Sequence, residues 1–275
     1  MKQSFLCLLL LLTLVAGCQK VDHEAKKEEI IISIQNGDLE QVKKIVTTAN
    51  VNNTLDDVIT PIHLAITENK QDILTYLLSL KPDLEIINEY EENYLQFAIK
   101  QENEEAALLL LDSDINLEAQ NQLGNSALKY AIYHKMDGIA EKIIEKSTNI
   151  NEIDDFGNSN LLIAINEKND ELIDLLLQSS IDLDLQNGFG YTALTLACLN
   201  EDVALVKRLL DLNASINIQD MDGFTPLMWA TDKNNKELVE LLLQYGADKY
   251  IENNYGKTAL EFSTSQEILD ILEQE

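Results

Sequence analysis

One interval governs this chain. Small residues recur at Ala65, Ala98, Ala131, Ala164, Ala197, Ala230 and Ser263, each 33 residues after the last. Five residues before each stands Thr60, Asn93, Ser126, Ser159, Thr192, Thr225 or Thr258, and three before stands Ile62, Leu95, Leu128, Leu161, Leu194, Leu227 or Leu260. Most units close on paired aliphatics: Leu77-Leu78, Leu110-Leu111, Ile143-Ile144, Leu176-Leu177, Leu209-Leu210 and Leu242-Leu243. A period of this length marks a repeat architecture, in which each unit is too small to bury its own apolar face and must stack on its neighbours.

Each recurring position has a physical reading. The Thr, Ser or Asn caps a helix whose first turn tolerates proline, as at Pro61 and Pro226. The small residue lets two antiparallel helices approach, and the aliphatic pair of the second helix fills the seam between units. Gly124, Gly157, Gly190, Gly223 and Gly256 fall seven residues before the small residue, and Asn121, Asp154, Asn187, Asp220 and Asn253 stand three before those glycines. That spacing suits a tight turn with positive φ.

The pattern resembles the ankyrin repeat over residues 28–275. The stretch DGFTPLMWATDKNNKELVELLLQYGAD (222–248) matches most closely, and TPIHLAI (60–66) is similar to the family's opening. The resemblance implies an all-α ankyrin-repeat solenoid of about eight helix-pair units with hairpin-like tips. An early unit is legible in SIQNGDLEQVKKIV (33–46), and EFSTSQEILDILEQE reads as an abbreviated last one. Glu91 and Val58 stand where other units have glycine, and Tyr94 takes the proline position. Those tips are expected to depart from the regular turn.

Residues 1–17 read as an address. Lys2 precedes an apolar run from Phe5 to Val15, shorter than a membrane-spanning helix requires. Val15-Ala16-Gly17-Cys18 resembles the lipobox of bacterial lipoproteins, which implies cleavage before Cys18 and lipidation of it. The alternative is an ordinary signal peptide with a chance cysteine. On the lipoprotein reading, residues 18–27 form a charged tether, and the protein is lipid-anchored in the bacterial cell envelope. Gln19 in place of aspartate favours the outer membrane or its periplasmic face.

Charge narrows the partners. Acidic residues number 48 against 20 basic ones, a formal net charge of −28. Such a surface repels nucleic acid and anionic headgroups, and steers in a basic protein where it does more than confer solubility. The membrane is reached through the Cys18 lipid alone. Cys7 leaves with the signal and Cys198 stands by itself, so the processed chain is expected to have no disulfide, and a monomer is expected.

No catalytic constellation is legible. His23 falls in the tether and His134 at a helix end. His63 occupies a position where the resemblance implies a bond to backbone between repeats. No phosphate loop, zinc spacing or twelve-residue calcium loop is present, although Asp182/Asp184 and Asp220/Asp222 are similar to fragments of the last. The chain is expected to be non-enzymatic, with no metal and no cofactor.

The resemblance implies binding through the tips and the exposed side of the first helices, which together line a concave face. Those positions hold Tyr90, Leu123, Phe156, Phe189, Tyr191, Phe224 and Tyr255 at the tips, and Tyr133 at a first-helix end. Two readings of the rings stand side by side: contacts for a partner, or packing of each tip on the next. Glu89-Tyr90-Glu91-Glu92 is the most acidic aromatic patch and the expected contact for a basic partner. The expected function is a lipid-anchored scaffold that captures a protein. The alternative is an immunity or inhibitor protein neutralising a toxin in the periplasm, since some bacterial immunity proteins have a similar acidic, ankyrin-like character.

Overall fold

The structure, a computed structural model, describes residues 24–56, 58–147 and 149–273. Among them every regular element is helical apart from one isolated bridge between Ile153 and Ser159. The chain divides between Gln122 and Leu123 into two units.

The first unit holds three helix pairs: α1 (24–36) with α2 (Leu39–Ile45), α3 (Pro61–Thr67) with α4 (Gln71–Ser79), and α5 (Tyr94–Lys100) with α6 (Glu104–Leu111). The second unit holds α7 (Ala127–Tyr133) with α8 (Asp137–Lys146), α9 (Asn160–Asn166) with α10 (Asp170–Leu177), α11 (Ala193–Leu199) with α12 (Val203–Asp211), and α13 (Pro226–Asp232) with α14 (Lys236–Gln244). A 3-10 turn, Ala259–Phe262, and α15 (Gln266–Glu273) complete it. That makes eight pairs, the last abbreviated. Residues 24–27, expected in a tether, are helical and form part of α1.

First helices from α3 to α13 have seven residues each, too short to persist alone in water. Three devices hold them. The cap side chain of Thr60, Asn93, Ser126, Ser159, Thr192 or Thr225 accepts from the backbone N–H three residues on. The carbonyl of the recurring alanine receives the N–H five residues beyond it, as Asn103 donates to Ala98 (3.0 Å) and Asp202 to Ala197 (3.0 Å). Stacking supplies the rest: α3 packs on α5 in the first unit, and α7, α9, α11 and α13 pack in succession in the second. Ala65 through Ala230 are buried, as are Leu77, Leu110, Ile143, Leu176, Leu209 and Leu242 on the second helices.

The residue that donates its N–H to the alanine carbonyl also opens the second helix. Asn103, Asn169, Asp202 and Asn235 each accept from a first-turn N–H, so one residue ends one helix and caps the next. Lys70 and Met136 take the same place without a side-chain cap. Tyr94, at the proline position, is fully buried, and its hydroxyl reaches Thr60 Oγ1 of the preceding pair (3.0 Å).

Candidate protein-binding surface

The tips are built from one repeated turn. An Asn or Asp side chain accepts from the N–H groups two and four residues ahead: Asn88 from Tyr90 (2.9 Å) and Glu92 (3.0 Å), Asp154 from Phe156 (2.9 Å) and Asn158 (2.8 Å). Asn187, Asp220 and Asn253 do the same. Glu91, at φ +60°, adopts the left-handed conformation of the tip glycines, so this tip is regular despite lacking glycine. The tip near Val58 does differ: Asp56 accepts from residues two and three ahead, Val58 and Ile59.

Successive tips of the second unit are laced together through backbone. Gly188 donates to Phe156 (2.7 Å), Met221 to Phe189 (3.1 Å) and Asn254 to Asp222 (3.0 Å). A Cβ on Gly190 would lie 2.7 Å from Met221 N, so glycine here serves close approach as well as positive φ. The result is a row of tips joined by backbone hydrogen bonds.

Phe156, Phe189 and Tyr255 are 68%, 69% and 68% exposed, with Met221 at 69% and Leu123 at 54%. Tyr90 and Tyr133 are exposed too. Two of the expected tip rings behave differently. Phe224 is half-buried against Trp229 (centroids 4.8 Å apart) and Phe262 (4.7 Å), and Tyr191 stacks on Phe189 (5.8 Å) and meets Trp229 edge-on (6.2 Å). Packing therefore accounts for Phe224 and Tyr191, while Phe156, Phe189 and Tyr255 remain largely exposed. Trp229 Nε1 donates to Asp220 Oδ2 (2.8 Å), which fixes the indole over the tip turn.

Trp229 and Phe262 were not singled out from sequence, yet they lie in register. Leu64, Phe97, Tyr130, Ile163, Leu196, Trp229 and Phe262 are 33 apart, four residues after each cap. The mixture of aliphatic and aromatic side chains disguises that column as core.

The acidic patch at Tyr90 needs correction. Glu92 is 1% exposed, and Lys100 Nζ pairs with its carboxylate (2.8 Å) while lying 4.4 Å from the Tyr90 ring centroid. Asn88 Nδ2 also donates to Glu92 (2.8 Å). Glu92 therefore presents no open charge; Glu91 and Glu89 remain exposed.

Other singled-out residues are internal fittings. His63 is buried and closes the capping box of its own helix, its Nδ1 facing Thr60 N (3.3 Å), rather than bonding the backbone of a neighbouring repeat. Burial pulls its pKa down to about 4. At the same position, Gln96 Nε2 reaches Ala119 O (3.0 Å), and buried Lys129 reaches Glu152 O (3.2 Å). Burial lowers the Lys129 pKa, opposed by the charges of Glu152 and Asp154. Cys198 is buried, and its thiol pKa is raised by burial, which makes it a poor nucleophile. Asp182 and Asp220 accept from turn backbone, and Asp184 ties to Ser215 N (2.9 Å). Among the described residues no group of three or more His, Cys, Asp or Glu comes together to hold a metal ion. No described helix is long and apolar enough to cross a membrane. Cys18 and the expected signal peptide lie outside the described residues.

Comparison with known proteins places the frame. The chain is similar over 80% of its length to the whole of the ankyrin repeat domain of Bcl-3, described as a unique member of the IkappaB protein family, with TM-score 0.71 and 24% identity. It resembles the ankyrin repeat protein EF0377 over 66% of its length and 96% of that chain (TM-score 0.59, 27% identity). An ankyrin repeat domain from Acinetobacter baumannii AYE, ABAYE2397, aligns over 68% of this chain and 98% of its own (TM-score 0.63, 24% identity). No curated protein matches the sequence. The family model described as "Ankyrin repeats (3 copies)" matches residues 30–121, 161–253 and 222–274. Domains of this family are scaffolds for protein–protein interaction, generally without enzymatic activity, and typically bind protein partners. With the capped pairs, the laced tips and most of the sequence in agreement, the chain belongs to the ankyrin repeat family.

Proposed function

We propose that this protein is a non-enzymatic scaffold, held in the bacterial cell envelope by lipid on Cys18, that captures a partner protein on the tips and first-helix face of its second unit. The observation that carries the capture is the row Phe156, Phe189, Met221 and Tyr255: four large apolar side chains, each about two-thirds exposed, on turns bonded into one frame. Rings held this way bury much area on binding at little entropic cost. The anchor rests on the sequence Val15-Ala16-Gly17-Cys18. Cys18→Ala is expected to move the protein from a carbonate-washed membrane pellet to the soluble fraction; retention in the pellet would contradict lipid anchoring.

Affinity capture from envelope extract tests the scaffold. Wild type is expected to retain one stoichiometric partner, and Phe156→Ala/Phe189→Ala/Tyr255→Ala is expected to lose it while melting shifts little. Undiminished capture by the variant would remove the tip row from the account. Capture of a secreted toxin in place of a resident envelope protein would favour the immunity reading, with the same surface doing the binding.

A further inference from the structure

Aromatic side chains of the second unit gather on one surface. Phe189 stacks on Tyr191 (centroids 5.8 Å apart), Tyr191 meets Trp229 edge-on (6.2 Å), Trp229 lies against Phe224 (4.8 Å), and Phe224 against Phe262 (4.7 Å). The path crosses three successive repeats without a break. Phe189 is largely exposed and the other four rings are half-buried, so each keeps part of its surface open to solvent. Packing alone does not demand rings here. Two repeats earlier in the same unit fill the column of Trp229 and Phe262 with buried Ile163 and Leu196.

The hydrogen-bonding capacity of this surface is small and one-sided. Trp229 Nε1 donates to Asp220 Oδ2 (2.8 Å), so the indole offers its ring rather than its N–H. The Tyr191 hydroxyl has no hydrogen-bond partner among the described residues. Burial and the charges of Asp220 and Asp222 raise its pKa, which keeps it protonated, a donor, at neutral pH. An occupant must therefore bring apolar area, an accepting carbonyl, and few N–H groups to be left unpaired against the rings. A helix holds its carbonyls in its own bonds, and an ordinary extended strand brings an N–H with nearly every residue. A proline-rich segment meets both demands, since proline has no N–H and the polyproline II backbone leaves its carbonyls free. Charge agrees: Asp222 and Asp232 stand exposed in the middle repeat, which turns away acidic segments and admits neutral or basic ones.

Spacing agrees as well. Packed helices lie roughly 8–10 Å apart, which sets the step from one repeat to the next. A polyproline II helix advances about 9 Å per turn of three residues, so every third side chain meets one repeat. Resting on the scaffold reading, we infer that the partner docks through a proline-rich segment in the polyproline II conformation, laid along Phe189, Tyr191, Trp229, Phe224 and Phe262, with a carbonyl accepting from the Tyr191 hydroxyl.

The probe is acetylated, amidated nonaproline, titrated into the protein and followed by calorimetry and by the fluorescence of Trp229, the chain's single tryptophan. Its mirror image, built from D-proline, has the same composition and the opposite helical hand. The L peptide is expected to bind, and the D peptide to bind about tenfold more weakly. Phe189→Ala is expected to weaken the L peptide about fivefold. Tyr191→Phe, which removes the hydroxyl alone, is expected to weaken it about fivefold as well. Tyr250→Ala, which removes a ring 75% exposed in the loop after α14, is expected to leave binding within about twofold. Equal binding of the two mirror images would overturn the inference, because it would show only adhesion to apolar rings. No binding of the L peptide, or equal loss from Phe189→Ala and Tyr250→Ala, would overturn it too. Capture of the natural partner that is lost in Phe156→Ala/Phe189→Ala/Tyr255→Ala, yet is not competed by nonaproline, would sink this inference and leave the scaffold standing.

Discussion

Between the two helices of the pairs from α1–α2 to α13–α14, one residue takes a left-handed conformation: Gly37, Asn69, Glu102, Lys135, Lys168, Glu201 and Asn234, with φ between +51° and +72°. Only one is glycine, so the strain is carried by ordinary side chains at about 1 kcal/mol apiece. Their identities share no chemistry, which is why the position could not be read from sequence; the tip glycines could, because there the residue type repeats. Lys168→Gly is therefore expected to raise stability by up to about 1 kcal/mol, less the entropy glycine adds to the unfolded chain. Gly190→Ala is expected to lower it by about 2–3 kcal/mol, because left-handed strain is joined by collision with Met221 N. Denaturant melts of the two variants beside wild type check both signs. His63 gives a pH signature. Its folded pKa lies near 4 against 6.5 when free, so the unfolded chain binds the extra proton first. Its contribution is complete above pH 6.5 and is lost as pH falls toward 4, by about 3 kcal/mol in all. His63→Gln should flatten that part of the stability–pH curve; identical curves would contradict it.

At the scale of the element, short helices endure because their ends share residues. Asn103, Asn169, Asp202 and Asn235 close one helix and cap the next, and Asn103 Nδ2 also satisfies Ile66 O of the preceding pair (2.8 Å). The first helices were legible from Thr/Ser/Asn and alanine in fixed register. The double duty of the linking residue was not, since Lys70 and Met136 interrupt the column. Met136→Asn is expected to supply the missing cap of α8 and stabilise by about 1 kcal/mol, seen as a raised denaturation midpoint with an unchanged slope. No change would mean that the α8 N-terminus is already satisfied by other means. Tip exposure was only partly legible. Sequence register puts Phe224 and Tyr191 beside the true surface rings, but it carries no sign that Trp229 and Phe262 lie within reach to cover them.

For the whole molecule, the repeats use the same fittings with different outward chemistry. In the first unit Lys100 pairs with Glu92 and lies over the tip ring Tyr90; in the second, the tip rings Phe156, Phe189 and Tyr255 stand exposed. Repeat count and helix positions were readable because packing demands the same residue types every 33 positions. The binding surface was less readable, because a partner demands different residues at each repeat, and that variation has no period. The measurement that tests the central claim most directly is hydrogen–deuterium exchange of the protein with and without its captured partner. Slowed exchange at the tips spanning 153–158, 187–191, 220–224 and 253–257, with α8, α10, α12 and α14 unchanged, is the predicted result. Slowing confined to those second helices, with the tips unaffected, would contradict it.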